Sequence, residues 1–321
     1  MPSHAIKIGY TLSSEEHGPK DLVRFGAMAV EHGFDRIDIS DHFHPWTDEQ
    51  GQSPFVWSVM GALAQAAPDV RIGTGVTCPT VRIHPAIVAQ AAATQSLLTG
   101  GGFFLGVGTG ENLNEHVLGD RWPPADIRLS MLEEAVEVMR KLWTGDQVTH
   151  VGEHYRVENA RLYTAPDGGS VPVYVSAFGP KAAELAGRIG DGLVTTSPDA
   201  EAVEGFRSAG GSGPAIAAAK ACWAEDEAAA RATVHRLWPN SGLPGELAQE
   251  LPMPAHFEQA SQLVTEDQAA DGKPCGPDPE VHVASLRAFA EAGYDEVYIH
   301  QIGPEQEGFM RFYRDEVLPR L

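Results

Sequence analysis

The chain alternates between short apolar segments and longer amphipathic segments, and this alternation limits the folds that it can adopt. Eight segments have the length and composition of buried strands: IKIGYTL, DRIDIS, VRIGTGVT, FFLGVGTG, VPVYVSAF, DGLVTTS, AIAAAKACW and DEVYIHQIG. Helical spacing separates them, as in PKDLVRFGAMAVEHG, where Leu22, Phe25, Met28 and Ala29 share one face. Apolar strands that are each followed by a helix indicate a parallel sheet covered by helices on its outer side.

Eight such units can close into a (β/α)8 TIM barrel with no strand left over. The alternative is a doubly wound open sheet with a dinucleotide site, but the segment GVGTGE lacks the GxGxxG spacing of that site. We therefore predict an α/β fold, a (β/α)8 barrel formed by residues 1–321 as a single domain. Two insertions are expected, a hairpin at about 147–163 and an irregular stretch at about 239–279, with one shorter helix, on the substrate side.

Charge and composition exclude several classes of partner. The net charge of −21 argues against nucleic acid and anionic membranes, because both require a basic surface. No apolar run approaches the roughly 18 residues of a membrane span, and MPSHAIKIGYTL lacks the pattern of a secretory signal. Cys78, Cys222 and Cys275 lie far apart, which fits three reduced core residues and a cytoplasmic protein.

Polar residues cluster at the C-terminal ends of the predicted strands, where the active sites of (β/α)8 barrels lie. The stretch SDHFHPW follows the second strand and contains His42, and Glu111 follows the fourth strand. Both side chains are expected on one rim, where one can accept a proton while the other donates one. The glycine-rich turns at 106–110 and at 179 precede helices and offer backbone N–H groups suited to a phosphate.

Each of these features has a structural alternative. A single histidine at a strand end is often a hydrogen-bonded structural residue. Glycines in such turns often occur only because the backbone there has a positive φ. A metal site formed by Asp41, His42 and His44 is disfavoured, because adjacent residues of a strand point to opposite faces. The coincidence of these features on one rim favours an active site without a metal.

Several segments, taken in order, resemble one known family. SDHFHPW, GTGVTCPT, HPAIVAQAAAT, FFLGVGTGENLNEH, MRKLWTGDQV and DGLVTTS are similar to segments of the luciferase-like, coenzyme F420-dependent oxidoreductases, in particular the F420-dependent glucose-6-phosphate dehydrogenase group. The resemblance covers residues from about 6 to 200 and from about 280 to the end. It implies a luciferase-like (β/α)8 barrel, usually a homodimer, with the deazaflavin F420 across the C-terminal mouth.

The resemblance also implies roles for individual residues. His42 matches the proposed base for the substrate hydroxyl, Glu111 the acid that protonates the reduced cofactor, and Trp46 a supporting aromatic residue. Gly75-Val76 matches the position of a non-prolyl cis peptide bond. The positions that match cofactor contacts are Asp41, Gly75, Val76, Cys78, Thr109, Gly110, Asn114, Ala177, Phe178, Gly179, Lys181 and Ala182. Cys78 and Phe178 depart from the family pattern, which has a threonine and a glycine at these positions.

The substrate side differs from that of the glucose-6-phosphate enzymes. Thr196 matches a phosphate contact of that group, but Asp199 replaces a lysine, and Lys273 is the only basic residue in the segment HFEQASQLVTEDQAADGKPCG. A phosphate dianion beside Asp199 would be poorly compensated. We therefore predict a small uncharged hydroxylated substrate rather than glucose 6-phosphate. The predicted substrate-side residues are Glu15, Thr196, Asp199 and His300.

The resulting prediction is an F420-dependent oxidoreductase that acts on CH–OH groups. It transfers a hydride between the deazaflavin C5 and a hydroxyl-bearing carbon of the substrate. Two alternatives remain open: an FMN-dependent monooxygenase with the same fold, and a barrel that binds F420 without turnover. The presence of both His42 and Glu111 favours an enzyme over a binding protein.

Overall fold

The computed structural model describes residues 6–321, and its central feature is a closed barrel of eight parallel strands. The ten strands are β1 (Lys7–Leu12), β2 (Arg36–Ile39), β3 (Arg71–Thr74), β4 (Phe103–Val107), β5 (Val148–Val151), β6 (Arg156–Ala160), β7 (Val173–Ser176), β8 (Gly192–Thr195), β9 (Ala215–Ala221) and β10 (Glu296–Gln301). All but β5 and β6 belong to the barrel, which closes where β1 pairs with β10 from Lys7↔Glu296 to Tyr10↔Ile299. The predicted (β/α)8 barrel is confirmed.

Helices connect the strands and cover the outside of the barrel. They are α1 (Pro19–Glu31), α2 (Val56–Ala66), α3 (Pro85–Leu98), α4 (Asn112–Glu115), α5 (Ala125–Trp143), α6 (Pro180–Ile189), α7 (Ala200–Ser208), α8 (Glu227–Leu237), α9 (Leu247–Glu250), α10 (Pro254–Ser261), α11 (Glu266–Ala270), α12 (Pro279–Glu291) and α13 (Gln306–Phe312). In α1, Pro19 occupies the first turn, where a missing N–H costs least, and Leu22, Phe25 and Ala29 are buried against the barrel.

Aromatic and aliphatic side chains fill the barrel interior away from the C-terminal mouth. This plug consists of Phe104, Tyr174, Val194, Ile216 and Tyr298. It requires a glycine at position 73, where a Cβ atom would lie 2.0 Å from the Phe104 ring. Because the plug closes the interior, ligand-accessible polar groups of the barrel strands are concentrated at the C-terminal mouth.

The two predicted insertions differ in how well their local structure was anticipated. β5 and β6 form an antiparallel hairpin within 147–163. The stretch 239–279 was expected to contain one shorter helix, but the structure has three, α9, α10 and α11. Local signals explain two of them: Pro254 begins α10, and Thr265 forms a capping box with Gln268 at the start of α11.

No helix within residues 6–321 combines the length and apolar character needed to cross a membrane. Cys78, Cys222 and Cys275 are buried, and none is in a disulfide within this part of the chain. Their burial agrees with the prediction that they are core residues.

Candidate active site

The loops that follow β1 and β2 meet at the mouth of the barrel and bring His42 next to Glu15. The distance from His42 Nε2 to Glu15 Oε1 is 3.5 Å, and the two side chains are only 10% and 3% exposed. His42 Nδ1 lies 3.3 Å from the carbonyl oxygen of His44. With a proton on Nδ1, facing this carbonyl oxygen, the neutral ring would leave Nε2 as a proton acceptor. The ring is therefore arranged as a base, with a carboxylate beside the nitrogen that would become charged.

Glu15 is held in its charged form by its neighbours. Its Oε2 atom accepts hydrogen bonds from Ser13 Oγ at 2.8 Å and from Ser40 Oγ at 2.7 Å. Burial raises the pKa of Glu15, but the charge of His42 and the hydrogen bonds from Ser40 and Ser13 outweigh it, so the pKa lies below its usual value. Glu15, predicted on the substrate side, is thus a buried carboxylate that can stabilise a protonated His42.

Trp46 forms a wall beside His42. Their ring centroids are 5.1 Å apart at 58°, and Trp46 also packs edge-to-face on Phe257 of α10 at 5.1 Å. The 239–279 stretch therefore supports Trp46 through Phe257, which is fully buried.

Asn114 links the loop after β2 to Glu111. Its Oδ1 atom accepts from the backbone N–H groups of Phe43 at 2.9 Å and of His44 at 3.1 Å. Its Nδ2 atom donates to Glu111 Oε2 at 3.3 Å. The structure thereby places Glu111 and the His42 loop on the same rim. The Asn114 amide, predicted as a cofactor contact, is engaged with protein groups on both sides.

Asp41 is anchored by an arginine that was not predicted from the sequence. Its Oδ1 atom is 2.9 Å from Arg82 Nη2, and its Oδ2 atom accepts from Thr77 Oγ1 at 2.7 Å. The Arg82 backbone N–H also donates to Glu115 Oε2 at 2.7 Å, and burial raises the pKa of Glu115 although Arg82 opposes the shift. The sequence feature that could have indicated Arg82 is its position in TCPTVR, shortly after the end of β3.

The residues of the alternative metal site do not converge. Asp41 faces Arg82, whereas His42 faces Glu15. His44, which had no predicted role, places Nδ1 at 2.8 Å from the carbonyl oxygen of Leu113 and so ties its loop to α4. Among residues 6–321, no group of three or more His, Cys, Asp or Glu side chains is arranged to hold a metal ion.

The end of β3 has the backbone feature that the family resemblance implies. The peptide bond between Gly75 and Val76 is cis, which confirms that expectation. Val76 packs against the plug, and Cys78 lies against Gly110, where a Cβ atom would be 2.5 Å from the Cys78 sulfur. Gly110 also has a φ of +81°, so a side chain is excluded there on two grounds. Thr109 precedes it and is partly buried.

The turn from β7 to α6 carries the residues predicted for the phosphate end of the cofactor: Ala177, Phe178, Gly179, Lys181 and Ala182. Ala177 is buried, whereas Phe178 is 65% exposed. No described atom lies within 4 Å of a Cβ built at Gly179, and no described side chain caps α6. Lys181 forms an exposed ion pair with Asp126 at 2.8 Å. The first turn of α6 therefore offers backbone N–H groups to an anion.

Two of the predicted substrate-side residues are engaged elsewhere. Asp199 Oδ1 accepts from the Ala202 backbone N–H at 3.0 Å and so caps α7. His300 Nε2 is 2.7 Å from Glu16 Oε1, which also accepts from Trp238 Nε1 at 2.7 Å. Thr196 is exposed. The expected repulsion of a phosphate by Asp199 therefore loses its direct structural basis, because this carboxylate belongs to the start of a helix.

Three charged groups of the mouth were not predicted: Glu16, Asp38 and Lys220. Burial raises the pKa of Glu16, but His300 outweighs it and lowers the pKa below its usual value. Burial lowers the pKa of Lys220 although Glu15, Glu16 and Asp38 oppose the shift. The sequence features that could have indicated Asp38 and Lys220 are an aspartate within DRIDIS and a lysine within AIAAAKACW, both inside otherwise apolar strands.

Comparison with known proteins places the chain in a family. The sequence profile of the luciferase-like monooxygenase family matches residues 4–296. This chain belongs to that family. An F420-dependent glucose-6-phosphate dehydrogenase of Microbacterium testaceum (strain StLB037) is 36% identical over 329 residues, covering 98% of this chain and 97% of the relative. The enzyme of that name from Mycobacterium avium (strain 104) is 36% identical over 331 residues, covering 98% of each chain.

Solved structures of luciferase-like proteins share the fold. An F420-dependent secondary alcohol dehydrogenase in complex with an F420-acetone adduct has a TM-score of 0.90 and 32% identity, covering 97% of this chain and 98% of its own. The oxygenating constituent of 3,6-diketocamphane monooxygenase from Pseudomonas putida, in complex with FMN, has a TM-score of 0.72 and 18% identity, covering 99% of each chain. The second likeness shows the fold alone.

The buried carboxyl group of Asp38 predicts a pH-dependent stability. Burial raises the pKa of Asp38 to about 7, whereas the unfolded chain loses this proton near pH 4. The folded state alone holds the proton between these values, so the stability contributed by Asp38 falls as the pH rises from about 4 to about 7. The unfolding free energy of Asp38→Asn minus that of the unsubstituted protein should therefore increase by about 1–3 kcal/mol from pH 5 to pH 8.

Urea unfolding of both proteins at the two pH values measures this difference. Asp69→Asn, at an exposed position, serves as the control. A difference between Asp38→Asn and the unsubstituted protein that does not change with pH would contradict the assignment.

Proposed function

We propose that this luciferase-like protein is an F420-dependent oxidoreductase that acts on CH–OH groups. It would transfer a hydride between the deazaflavin C5 and a hydroxyl-bearing carbon. The observation that carries the proposal is the buried pair of His42 and Glu15 at the mouth, 3.5 Å apart. The relatives at 36% and 32% identity support it, since both are named F420-dependent dehydrogenases.

The groups at the mouth fit a deazaflavin that carries a phosphate-bearing side chain. The Gly75–Val76 peptide and the apolar Val76 side chain would border the ring. The first turn of α6, with Gly179, would hold the phosphate through its backbone N–H groups, and Lys181, which is paired with Asp126, lies in this turn. When bound, the deazaflavin supplies a carbon that accepts or donates a hydride.

The chain itself handles the proton of the substrate. His42 Nε2 accepts the hydroxyl proton as the adjacent carbon loses its hydride, and the substrate C–O bond becomes a carbonyl. Glu15 stabilises the positive charge that develops on the ring, because it is held as a carboxylate by Ser13 and Ser40. In the reverse direction the protonated ring returns the proton. Glu111, oriented by Asn114, provides the second proton-transfer group.

We propose an uncharged substrate rather than glucose 6-phosphate. This no longer rests on Asp199, which caps α7. It rests on the carboxyl groups of Glu15, Glu16 and Asp38, which the structure places around Lys220 as the neighbouring cation. A phosphate dianion close to these groups would be poorly compensated.

The two alternatives have weaker support. The FMN-dependent alternative is supported only by structural neighbours such as the diketocamphane enzyme, whose 18% identity shows the shared fold alone. Binding of F420 without turnover would leave the buried pair of His42 and Glu15 without a purpose.

We also propose a cytoplasmic homodimer. Exposed apolar residues at α2 and α3, Phe55, Ile87 and Leu98, and the reduced cysteines support this proposal.

Removal of the His42 imidazole tests the proposed chemistry. His42→Ala should lower the rate of F420 reduction by an alcohol about 10²–10⁴-fold, because the hydroxyl proton loses its acceptor. His32→Ala is the matched control, since His32 ends α1 at the opposite end of the barrel. F420 binding, followed by fluorescence, should be retained in both variants, and a near-normal rate in His42→Ala would refute the role of this residue.

A second comparison tests the substrate class. With F420 as acceptor, at least one uncharged alcohol should have a kcat/KM about tenfold or more above that of glucose 6-phosphate. The reason is that the charge of the phosphate is poorly compensated in the site. Glucose is the matched uncharged partner of the sugar phosphate. Oxidation of glucose 6-phosphate with a low KM and a higher kcat/KM than every uncharged alcohol would overturn this part of the proposal.

A further inference from the structure

Below the pair of His42 and Glu15, the barrel interior contains polar groups that the protein leaves unsatisfied. Asp38, on β2, is 1% exposed, and its Oδ1 atom has no hydrogen-bond partner among residues 6–321. Thr11, on the neighbouring β1, is 8% exposed, and its hydroxyl lies near the Asp38 carboxyl but has no hydrogen-bond partner among the described residues. Buried polar groups without partners are rare in folded proteins, and each of them needs an explanation such as a functional role or a bound group.

Lys220 faces the same region from β9. No carboxylate of residues 6–321 lies within 4.0 Å of its ammonium group, and no described atom accepts a hydrogen bond from it. Its close contact is the ring of Trp238, whose centroid is 4.4 Å from Nζ. Glu15, Glu16 and Asp38 are nevertheless near enough for their charges to act on it. Lys220 thus has three donors available in a partly buried place.

This region is continuous with the proposed active site. A Cβ built on Gly75 would lie 2.6 Å from Asp38 Oδ2, so the carboxyl group is at the level of the Gly75–Val76 peptide. Ser40, two residues further along the chain, donates to Glu15. The apolar plug lies on the other side. The unsatisfied groups therefore form the floor of the mouth.

The chemistry of the floor selects one kind of ligand group. Lys220 can only donate hydrogen bonds, and Asp38, once ionised above its pKa of about 7, can only accept them. A hydroxyl group satisfies both, since its oxygen accepts from Lys220 while its proton is donated to Asp38. A carboxylate or phosphate would face Asp38 together with Glu15 and Glu16, and a carbonyl oxygen would leave Asp38 without a donor.

We propose that Lys220 and Asp38 bind a second hydroxyl group of the substrate, so that the preferred substrate is a polyol whose other hydroxyl reacts at His42. This rests on the proposed function and narrows its substrate class. Thr11 can join the same hydrogen-bond network. A site built to bind a hydroxyl discriminates strongly against an analogue that lacks it, because the buried polar groups are then left unpaired.

A matched pair of alcohols tests the proposal. cis-1,2-Cyclohexanediol and cyclohexanol differ by one hydroxyl group, and kcat/KM is measured for both with F420. The unsubstituted protein should prefer the diol about tenfold to a hundredfold, the range expected for a hydrogen bond to a charged group. Lys220→Met should lower kcat/KM for the diol more than for cyclohexanol and so remove this preference, because only the diol has a second hydroxyl for Lys220 to bind.

Controls separate the subsite from a structural role. Lys220→Gln is the second variant if Lys220→Met does not fold, and Lys7→Met, at the exposed opposite end of β1, should keep the preference. An absent preference in the unsubstituted protein, a preference retained in the Lys220 variant, or an equal loss on both alcohols would each overturn the proposal.

A readout without turnover keeps this test distinct from that of the proposed function. Saturation-transfer NMR of the two alcohols with the cofactor-free protein reports their binding without turnover, and comparison with Lys220→Met assigns the part that depends on the floor. The diol should give the stronger signal, and Lys220→Met should remove the difference. If no alcohol reduces F420, the proposed function fails, and the NMR comparison still decides the subsite, with equal signals for both alcohols overturning it.

Discussion

The parallel pairing of β1 with β2 on one side and with β10 on the other determines which charged groups meet at the mouth. Glu15 follows β1 and His42 follows β2, so adjacent strand ends place a carboxylate beside an imidazole. Lys220 enters from β9, which pairs with β10 so that Lys220 is aligned with His300. Because the barrel is closed, residues separated by about two hundred positions in the sequence share one small volume.

Most of the buried charges in this volume are compensated by protein groups. Arg82 holds Asp41, while His300, Trp238 and the backbone N–H of Gly303 satisfy Glu16. Two groups differ, since Asp38 Oδ1 lacks a partner within the described chain and the Lys220 ammonium group is not paired there. Buried polar groups without partners reduce stability, so the presence of two of them beside a proton-transfer pair supports the proposed binding of a ligand group.

The alternation of strand and helix patterns was sufficient to predict the barrel, and the position of SDHFHPW after β2 was sufficient to place His42 at its mouth. The contacts between elements could not be derived from local patterns. Lys220 and Asp38 occur in strands that otherwise appear apolar, and only closure of the barrel shows that both face the interior. Asp199 shows another limit of local patterns, because only the structure shows that its carboxylate caps α7, and its predicted substrate contact stays a prediction. Of the three helices within 239–279, α10 and α11 have local start signals, but the packing of Phe257 on Trp46 could not be derived from them.

The identity of the cofactor is the central claim, because the roles of His42, Glu15 and the floor of the mouth all assume hydride transfer at a deazaflavin. Equilibrium titration of the purified protein with F420 and, separately, with FMN tests it directly through the change in cofactor fluorescence. The account predicts saturable binding of F420, with a Kd at least about tenfold below that of FMN, equivalent to about 1.4 kcal/mol. Tight binding of FMN without saturable binding of F420 would contradict it.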